Sequence, residues 1–113
     1  MKRTWKRIVL RVVVVVTLTL FTGSPALAAL HAYAPDGGAH VYDSYSRDRL
    51  NVNDSKCDSR YAYGNWNGST SNRLENRSGC NTTVWKAGLG ISSLRACTNI
   101  NAWPDSCSSW KYY

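Results

Sequence analysis

The chain has 113 residues, four cysteines and a formal net charge of +7. Five of its fourteen Lys and Arg residues lie within residues 1–11, so residues 29–113 keep nine basic and seven acidic residues, a net charge of +2. These nine are spread along the chain with no run of three, which argues against a nucleic-acid partner or an anionic membrane surface. The length after residue 28 allows one domain at most.

Residues 1–28 have the order of a secretory signal peptide. A basic start is followed by the apolar run from Val12 to Thr22, and then by a small-residue cleavage site at Ala26 and Ala28. The apolar run is too short to span a bilayer, which needs roughly 20 residues. We therefore predict a secreted, extracellular protein with no stable membrane insertion after cleavage.

The elements predicted after the signal peptide are strands. Residues 29–39 have no clear period and end in turn formers, so we predict a flexible lead-in to a single domain over 40–113. Turn residues then recur at the spacing typical of an all-β sandwich or barrel. The predicted strands are 40–45, 49–53, 59–66, a weaker one at 71–76, 80–86, 91–98 and 107–112. We predict a small antiparallel β-sandwich of about six or seven strands.

The four cysteines are predicted to form two structural disulfides, because export leads to an oxidising compartment and no Cys-x-x-Cys pair of a zinc or redox site is present. Four cysteines allow three pairings, and sequence alone does not choose among them. We favour Cys57–Cys80 and Cys97–Cys107, because neighbouring strands would bring these near pairs together. Each disulfide would stabilise this small domain by about 3 kcal/mol.

Residues suited to catalysis or metal binding are few. The histidines, His31 and His40, lie in or near the predicted lead-in, and a catalytic triad needs a rigidly held histidine. The oxygen-bearing run 51–55 lacks the order of an EF-hand calcium loop. We predict no enzymatic activity, no cofactor and no metal site.

Four aspartates lie close together in the sequence, and two carboxylates across a cleft would serve glycoside hydrolysis. A domain of this length leaves little room for such a cleft. We interpret the aspartates as turn caps that pair with arginines. The aspartates are Asp43, Asp48, Asp54 and Asp58, and the arginines are Arg47, Arg49 and Arg60.

The aromatic residues are the best candidates for a binding surface, since exposed rings stack on sugars or anchor a protein partner. Residues 29–113 contain four Trp and seven Tyr but no Phe or Met. Because few other large apolar residues are available, we predict that Trp66, Trp85 and Tyr61 fill the core. The candidate partner-binding residues are Trp103, Trp110, Tyr112 and Tyr113.

Four segments carry a resemblance to a group of known proteins: Asn53–Tyr63, Leu74–Cys80, Ser93–Cys97 and Pro104–Trp110. Together they resemble small secreted disulfide-linked β-domain proteins of actinobacteria, a group of unassigned function. The resemblance spans residues 40–110. It implies a Gram-positive exporter and an extracellular product, but no activity.

A fainter likeness involves Gly90-Ile-Ser-Ser-Leu-Arg95, which is similar to the strand that closes the Greek-key motif of βγ-crystallin-like secreted proteins. These include peptidase inhibitors and killer toxins of similar size. Their calcium motif has Asn or Asp where Gly88 and Leu89 stand here, so the likeness implies neither a calcium site nor an inhibitory loop.

The sequence predicts a non-enzymatic protein that binds an extracellular protein or a cell-surface glycan through aromatic and polar loops. An exposed row of Trp and Tyr would favour the glycan. The alternative is an inhibitor of an exported peptidase, in which the loop Thr98–Ser106, closed by Cys97–Cys107, inserts into a protease cleft. A second alternative is a small hydrolase, which would need two carboxylates held close together in a pocket.

Overall fold

The computed structural model describes residues 28–113, and the predicted signal peptide lies outside them apart from Ala28. Residues 28–113 form nine strands and no helix, so they hold no helical segment able to cross a membrane. The strands are β1 (His31–Tyr33), β2 (Ala39–Ser44), β3 (Arg49–Asp54), β4 (Ala62–Asn67), β5 (Asn72–Asn76), β6 (Thr82–Lys86), β7 (Ser93–Thr98), β8 (Ser106–Cys107) and β9 (Lys111–Tyr112).

The strands form two antiparallel sheets. The first has the order β1-β2-β3-β6, and the second has the order β5-β4-β7-β8, with β9 also paired to β7. The chain crosses between the sheets after β3, after β5 and after β6. The prediction of an all-β antiparallel sandwich is confirmed, but with nine strands instead of six or seven.

The predicted strand 107–112 is divided into β8 and β9, which together form one edge of the second sheet. Cys107 lies opposite Cys97 and Lys111 lies opposite Leu94, so the pairing register shifts by one residue between them. At the break, the Ser108 hydroxyl accepts the N–H of Ala96 at 3.0 Å. Such an irregular edge discourages pairing with another chain.

The core lies between the two sheets. Val41, Leu50 and Val52 of the first sheet are fully buried, and so is the large ring of Trp66 from the second. The prediction that Trp66 fills the core is confirmed. The sheets approach closely at Gly64, where an added Cβ would lie 2.9 Å from Val41 Cγ1. Glycine at this position of β4 therefore permits the packing distance.

The prediction of a flexible lead-in over 29–39, outside the domain, is wrong for its central part, which forms a strand of the first sheet. β1 pairs with β2 along its whole length, and Ala32 and Ala34 are buried in the core. His31 and Tyr33 point away from the core. The alternation spans only three residues before the turn formers that begin at Pro35, which is too short for a period to be recognised in the sequence.

A buried carboxylate fixes the start of β1. Asp43 is 1% exposed, and its Oδ1 accepts the N–H of Leu30 at 2.6 Å. Its Oδ2 accepts the hydroxyl of Tyr113. Burial, together with this hydrogen bond, raises the pKa of Tyr113 to about 12. The hydroxyl therefore stays protonated and donates across the whole neutral range.

The other three aspartates also accept backbone N–H groups, but the prediction of turn caps is confirmed only for Asp54 and Asp58, because the donors to Asp43 and Asp48 lie 13 and 40 residues away in the chain. Asp54 and Asp58 each accept from the residue two positions ahead, at 3.4 and 3.1 Å, and Asp48 accepts from Gly88 at 3.1 Å. The predicted ion pairs are wrong. Within residues 28–113, none joins these aspartates to Arg47, Arg49 or Arg60.

Both disulfides have the pairing favoured from the sequence. Cys57–Cys80 joins the crossover after β3 to the turn before β6, and these two strands are neighbours in the first sheet. Cys97–Cys107 joins β7 to β8 at a directly paired position. One disulfide thus holds two crossovers together, and the other holds an edge strand.

Asn76 connects the two sheets at the end of β5. Its side chain is fully buried, and its Nδ2 donates to the carbonyl oxygens of Val52 at 3.0 Å and Thr82 at 2.9 Å. Its Oδ1 accepts the N–H of Ser78 at 3.0 Å. Val52 and Thr82 belong to the first sheet, whereas Asn76 ends β5 of the second sheet. This single side chain therefore links the two sheets by hydrogen bonds.

Candidate functional site

The outward side chains of the first sheet form a surface rich in rings and amides, which we call the polar aromatic face. Side chains alternate along a strand, so the neighbours of the buried Val41 and Val52 point outward. Its members are His31, Tyr33, His40, Tyr42, Ser44, Arg49, Asn51, Asn53, Thr83 and Trp85. None of these side chains is a carboxylate.

Strand pairing arranges eight of these residues in two rows across the sheet. One row is His31, Tyr42, Asn51 and Trp85, and the other is Tyr33, His40, Asn53 and Thr83. Four strands spaced by about 4.8 Å make each row about 14 Å long. The rows therefore place aromatic rings at both edges of the face and amides near its middle.

Four rings stack on one another at the β1–β2 edge. The ring centroids of Tyr33 and His40 are 4.3 Å apart with 5° between their planes, and Tyr42 lies 4.9 Å from His40. His31 stacks on His40 at 5.2 Å, and its Nδ1 lies 2.9 Å from His40 Nε2, so one imidazole donates a hydrogen bond to the other. The rings are thus oriented before any ligand arrives, which reduces the entropy lost on binding.

We expect His40 to titrate below its ordinary pKa of 6.5, because burial lowers its pKa and the neighbouring His31 lowers it further. The fold favours the neutral ring, so its contribution to the free energy of unfolding is present above pH 6.5 and is lost as the pH falls through the lowered pKa. An NMR titration of the ring protons measures this pKa directly. The His31→Gln variant should raise it toward 6.5, and a pKa at or above 6.5 in the unaltered protein would contradict the expectation.

The amides of the face leave an acceptor open for a ligand. Asn51 Nδ2 donates to Ser44 Oγ at 3.0 Å, and Asn53 Nδ2 donates to Thr83 Oγ1 at 3.0 Å. These bonds fix the orientation of both amides. Neither Oδ1 atom accepts a hydrogen bond from residues 28–113. Asn51 is only 7% exposed, whereas Asn53 is half-buried, so Asn53 offers the acceptor that a hydroxyl donor can reach.

Trp85 lies at the opposite edge of the face, on β6. It is 56% exposed, so the prediction that it fills the core is wrong. The neighbouring Val84 pairs with Val52 and takes the inward position, which turns Trp85 outward. Tyr61, also predicted for the core, is half-buried. The Arg49 guanidinium lies over Trp85, with Cζ 3.9 Å from the ring centroid.

The candidate partner-binding residues are not gathered on one surface. Trp103 is 76% exposed in the loop after β7, whereas Tyr112, which is 69% exposed, pairs with the opposite end of β7. Trp110 is half-buried, 5.2 Å from the Arg95 guanidinium. Tyr113 is anchored through its hydroxyl to the buried carboxylate of the first sheet. Trp103 and Tyr112 therefore remain separate candidates.

A cleft of about 480 Å³ lies at the Cys57–Cys80 end of the sandwich, and Asp54 and Asp58 both line it. Burial raises the pKa of Asp54. Both carboxylates already accept a backbone N–H in a turn, as described above. In the part of the chain from 28 to 113, no three His, Cys, Asp or Glu side chains are grouped to hold a metal ion.

Comparisons with known proteins return no match for this chain among family models, curated proteins or solved structures. The geometry of the polar aromatic face is therefore the basis for its assignment.

Proposed function

We propose that this is a non-enzymatic extracellular protein that binds a cell-surface glycan through the polar aromatic face. The observation that carries the proposal is the combination, on one sheet face, of the exposed Trp85 ring, the stacked rings of β1 and β2, and the oriented amide of the half-buried Asn53. A sugar offers an apolar C–H face and a rim of hydroxyls. Rings pack against the first and amide oxygens accept from the second.

The chemistry of the face favours a glycan over a protein partner. It has no aliphatic side chain, and every ring other than Trp85 is a histidine or tyrosine with a polar edge. The buried centre of a protein–protein interface is more apolar than this. Ordered polar groups interspersed with rings are instead typical of sites that select a small polar ligand.

The test compares two exposed tryptophans. The protein, secreted and oxidised by an exporting host, is incubated with insoluble chitin and peptidoglycan, and binding is measured by depletion from solution. Trp85→Ala should weaken binding about thirtyfold or more, the effect of removing an aromatic side chain on which binding depends. Trp103→Ala is the matched control, because Trp103 is also exposed but lies outside the face, and it should bind as the unaltered protein does.

Circular dichroism and a disulfide count by mass confirm that both variants are folded. Equal binding by the Trp85→Ala variant and the unaltered protein would overturn the proposal. Loss of binding in Trp103→Ala alone would move the site to the loop after β7.

The loop between β7 and β8 supports a second candidate, inhibition of an exported peptidase. Asp105 accepts the N–H of Ile100 at 3.0 Å and the hydroxyl of Tyr63, so the loop closed by Cys97–Cys107 is braced from within. Burial and this hydrogen bond raise the pKa of Tyr63 to about 12. Trp103 lies on a turn of this loop, directly after Ala102, whose φ is 62°. The exposed part of the loop is therefore a turn and not an extended segment. Inhibition of subtilisin or trypsin that Trp103→Ala abolishes would support this function, and no inhibition by the unaltered protein would refute it.

A further inference from the structure

Arg49 indicates which class of glycan fits the polar aromatic face. We propose that the ligand is an anionic glycan, in which Arg49 binds a carboxylate or sulfate carried by a sugar that packs against Trp85. This inference rests on the proposed function and deepens it, because a neutral glycan would need only the rings and the amides.

Two aromatic rings hold the guanidinium in place. Arg49 Cζ lies 3.9 Å from the centroid of the Trp85 ring and 4.5 Å from that of Tyr45. A planar cation over aromatic faces is attracted by their electron density, and arginine suits such sites better than lysine. Because the side chain is already ordered, binding an anion would sacrifice little of its rotational freedom.

Arg49 also has no acceptor among residues 28–113. No ion pair reaches it, and its Nε is buried without a hydrogen-bond partner. Two other arginines show the contrast, since Arg47 Nε donates to Ile91 O at 2.6 Å and Arg95 Nε donates to Asn65 Oδ1 at 2.9 Å. A guanidinium offers five N–H donors in a fork that matches an oxyanion. The Nη donors of Arg49 make no hydrogen bond within residues 28–113 and remain free for a ligand, whereas the buried Nε is not accessible to one.

The charges of the face point the same way. Arg49 is the one member with a permanent charge, and none of the other nine is a carboxylate that would repel an anion. The carboxylate of Asp43 on the same strand pair faces inward and is buried. A neutral ligand covering Arg49 would leave a desolvated cation unpaired, which is unfavourable. An oxyanion on the ligand removes that penalty.

The experiment uses two pairs of polymers that share a backbone and differ in charge. The first pair is polygalacturonate and its methyl ester, and the second is dextran sulfate and dextran. For the secreted, oxidised protein we expect at least about tenfold tighter binding to the charged member of a pair, the strength of a charge-assisted contact. Arg49→Gln should remove this preference, and Arg49→Lys should restore part of it. The preference should weaken as salt is added.

A matched control excludes general attraction of polyanions to the protein. Arg95 also lies over a tryptophan, Trp110, but on the other sheet, so Arg95→Gln should keep the preference. Loss of the preference in Arg95→Gln, or equal binding of charged and neutral members by the unaltered protein, would overturn the inference. Absence of binding to all four polymers would overturn it too. If the inference fails in one of these ways, binding to chitin that depends on Trp85 would show that the proposed function still stands. Absence of that chitin binding would show that the proposed function has failed as well.

Discussion

Replacing Asn76 by alanine is expected to lower the free energy of unfolding by about 3 kcal/mol. The amide is fully buried and hydrogen-bonds to Val52, Thr82 and Ser78, so its removal takes one partner from each of these groups. The Thr82 carbonyl keeps a second donor, Asn53 Nδ2 at 3.2 Å, so the main losses fall on the Val52 carbonyl and the Ser78 N–H. Each buried polar group left without a partner costs about 1–3 kcal/mol. Val52 and Thr82 belong to the first sheet and Asn76 ends β5 of the second, so the loss weakens the connection between the two sheets.

Urea unfolding followed by tryptophan fluorescence measures the effect. Asn72→Ala is the matched control, since Asn72 begins the same strand but is exposed, and it should change the unfolding free energy by less than about 0.5 kcal/mol. Asn76→Asp keeps the acceptor for Ser78 but loses both N–H donors, so it should also be destabilising. An Asn76→Ala variant as stable as Asn72→Ala would contradict the bridging role.

Removing the Cys57–Cys80 disulfide with serine at both positions should lower the free energy of unfolding by about 3 kcal/mol. This disulfide closes a segment with a sequence separation of 23, whereas Cys97–Cys107 closes one of 10. The shorter loop constrains the unfolded chain less, by about 0.7 kcal/mol. In a domain whose total stability is roughly 4–13 kcal/mol, losing both disulfides, about 6 kcal/mol, would remove about half of that stability at the upper end and all of it at the lower end.

The two double variants, compared by urea unfolding at one temperature, test this expectation. The Cys57→Ser, Cys80→Ser protein should have the lower unfolding free energy of the two. A larger loss on removing Cys97–Cys107 would show that fixing the edge strand β8 matters more than restricting the unfolded chain.

The parts of the fold that depend on local sequence patterns could be predicted from the sequence. The spacing of turn residues along the chain predicted a β-sandwich, and proximity along the chain indicated the correct disulfides. β1 was missed because three residues carry no measurable period. The division of 107–112 was missed because a register shift depends on the partner strand, β7, and leaves no mark in the segment itself.

The candidate site was harder to predict, because it depends on which distant strands become neighbours. His31 and Trp85 end the same row only because β1 and β6 are the two edges of one sheet. The sequence favoured rings near turns, such as Trp103, as candidate binding residues, and that ring is exposed. Trp85 was assigned to the core because few other large apolar residues were available. The inward position of Val84, which turns Trp85 outward, becomes evident only from the pairing with β3.

The carboxylate of Asp43 implies an order of events during synthesis. Its second partner, Tyr113, lies 70 residues further along the chain. At synthesis rates of about 5–20 residues per second, that hydroxyl emerges roughly 4–14 s later. Until then the carboxylate has only the N–H of Leu30 to offset its burial. Asp43 therefore gains its second partner only after all nine strands have been synthesised.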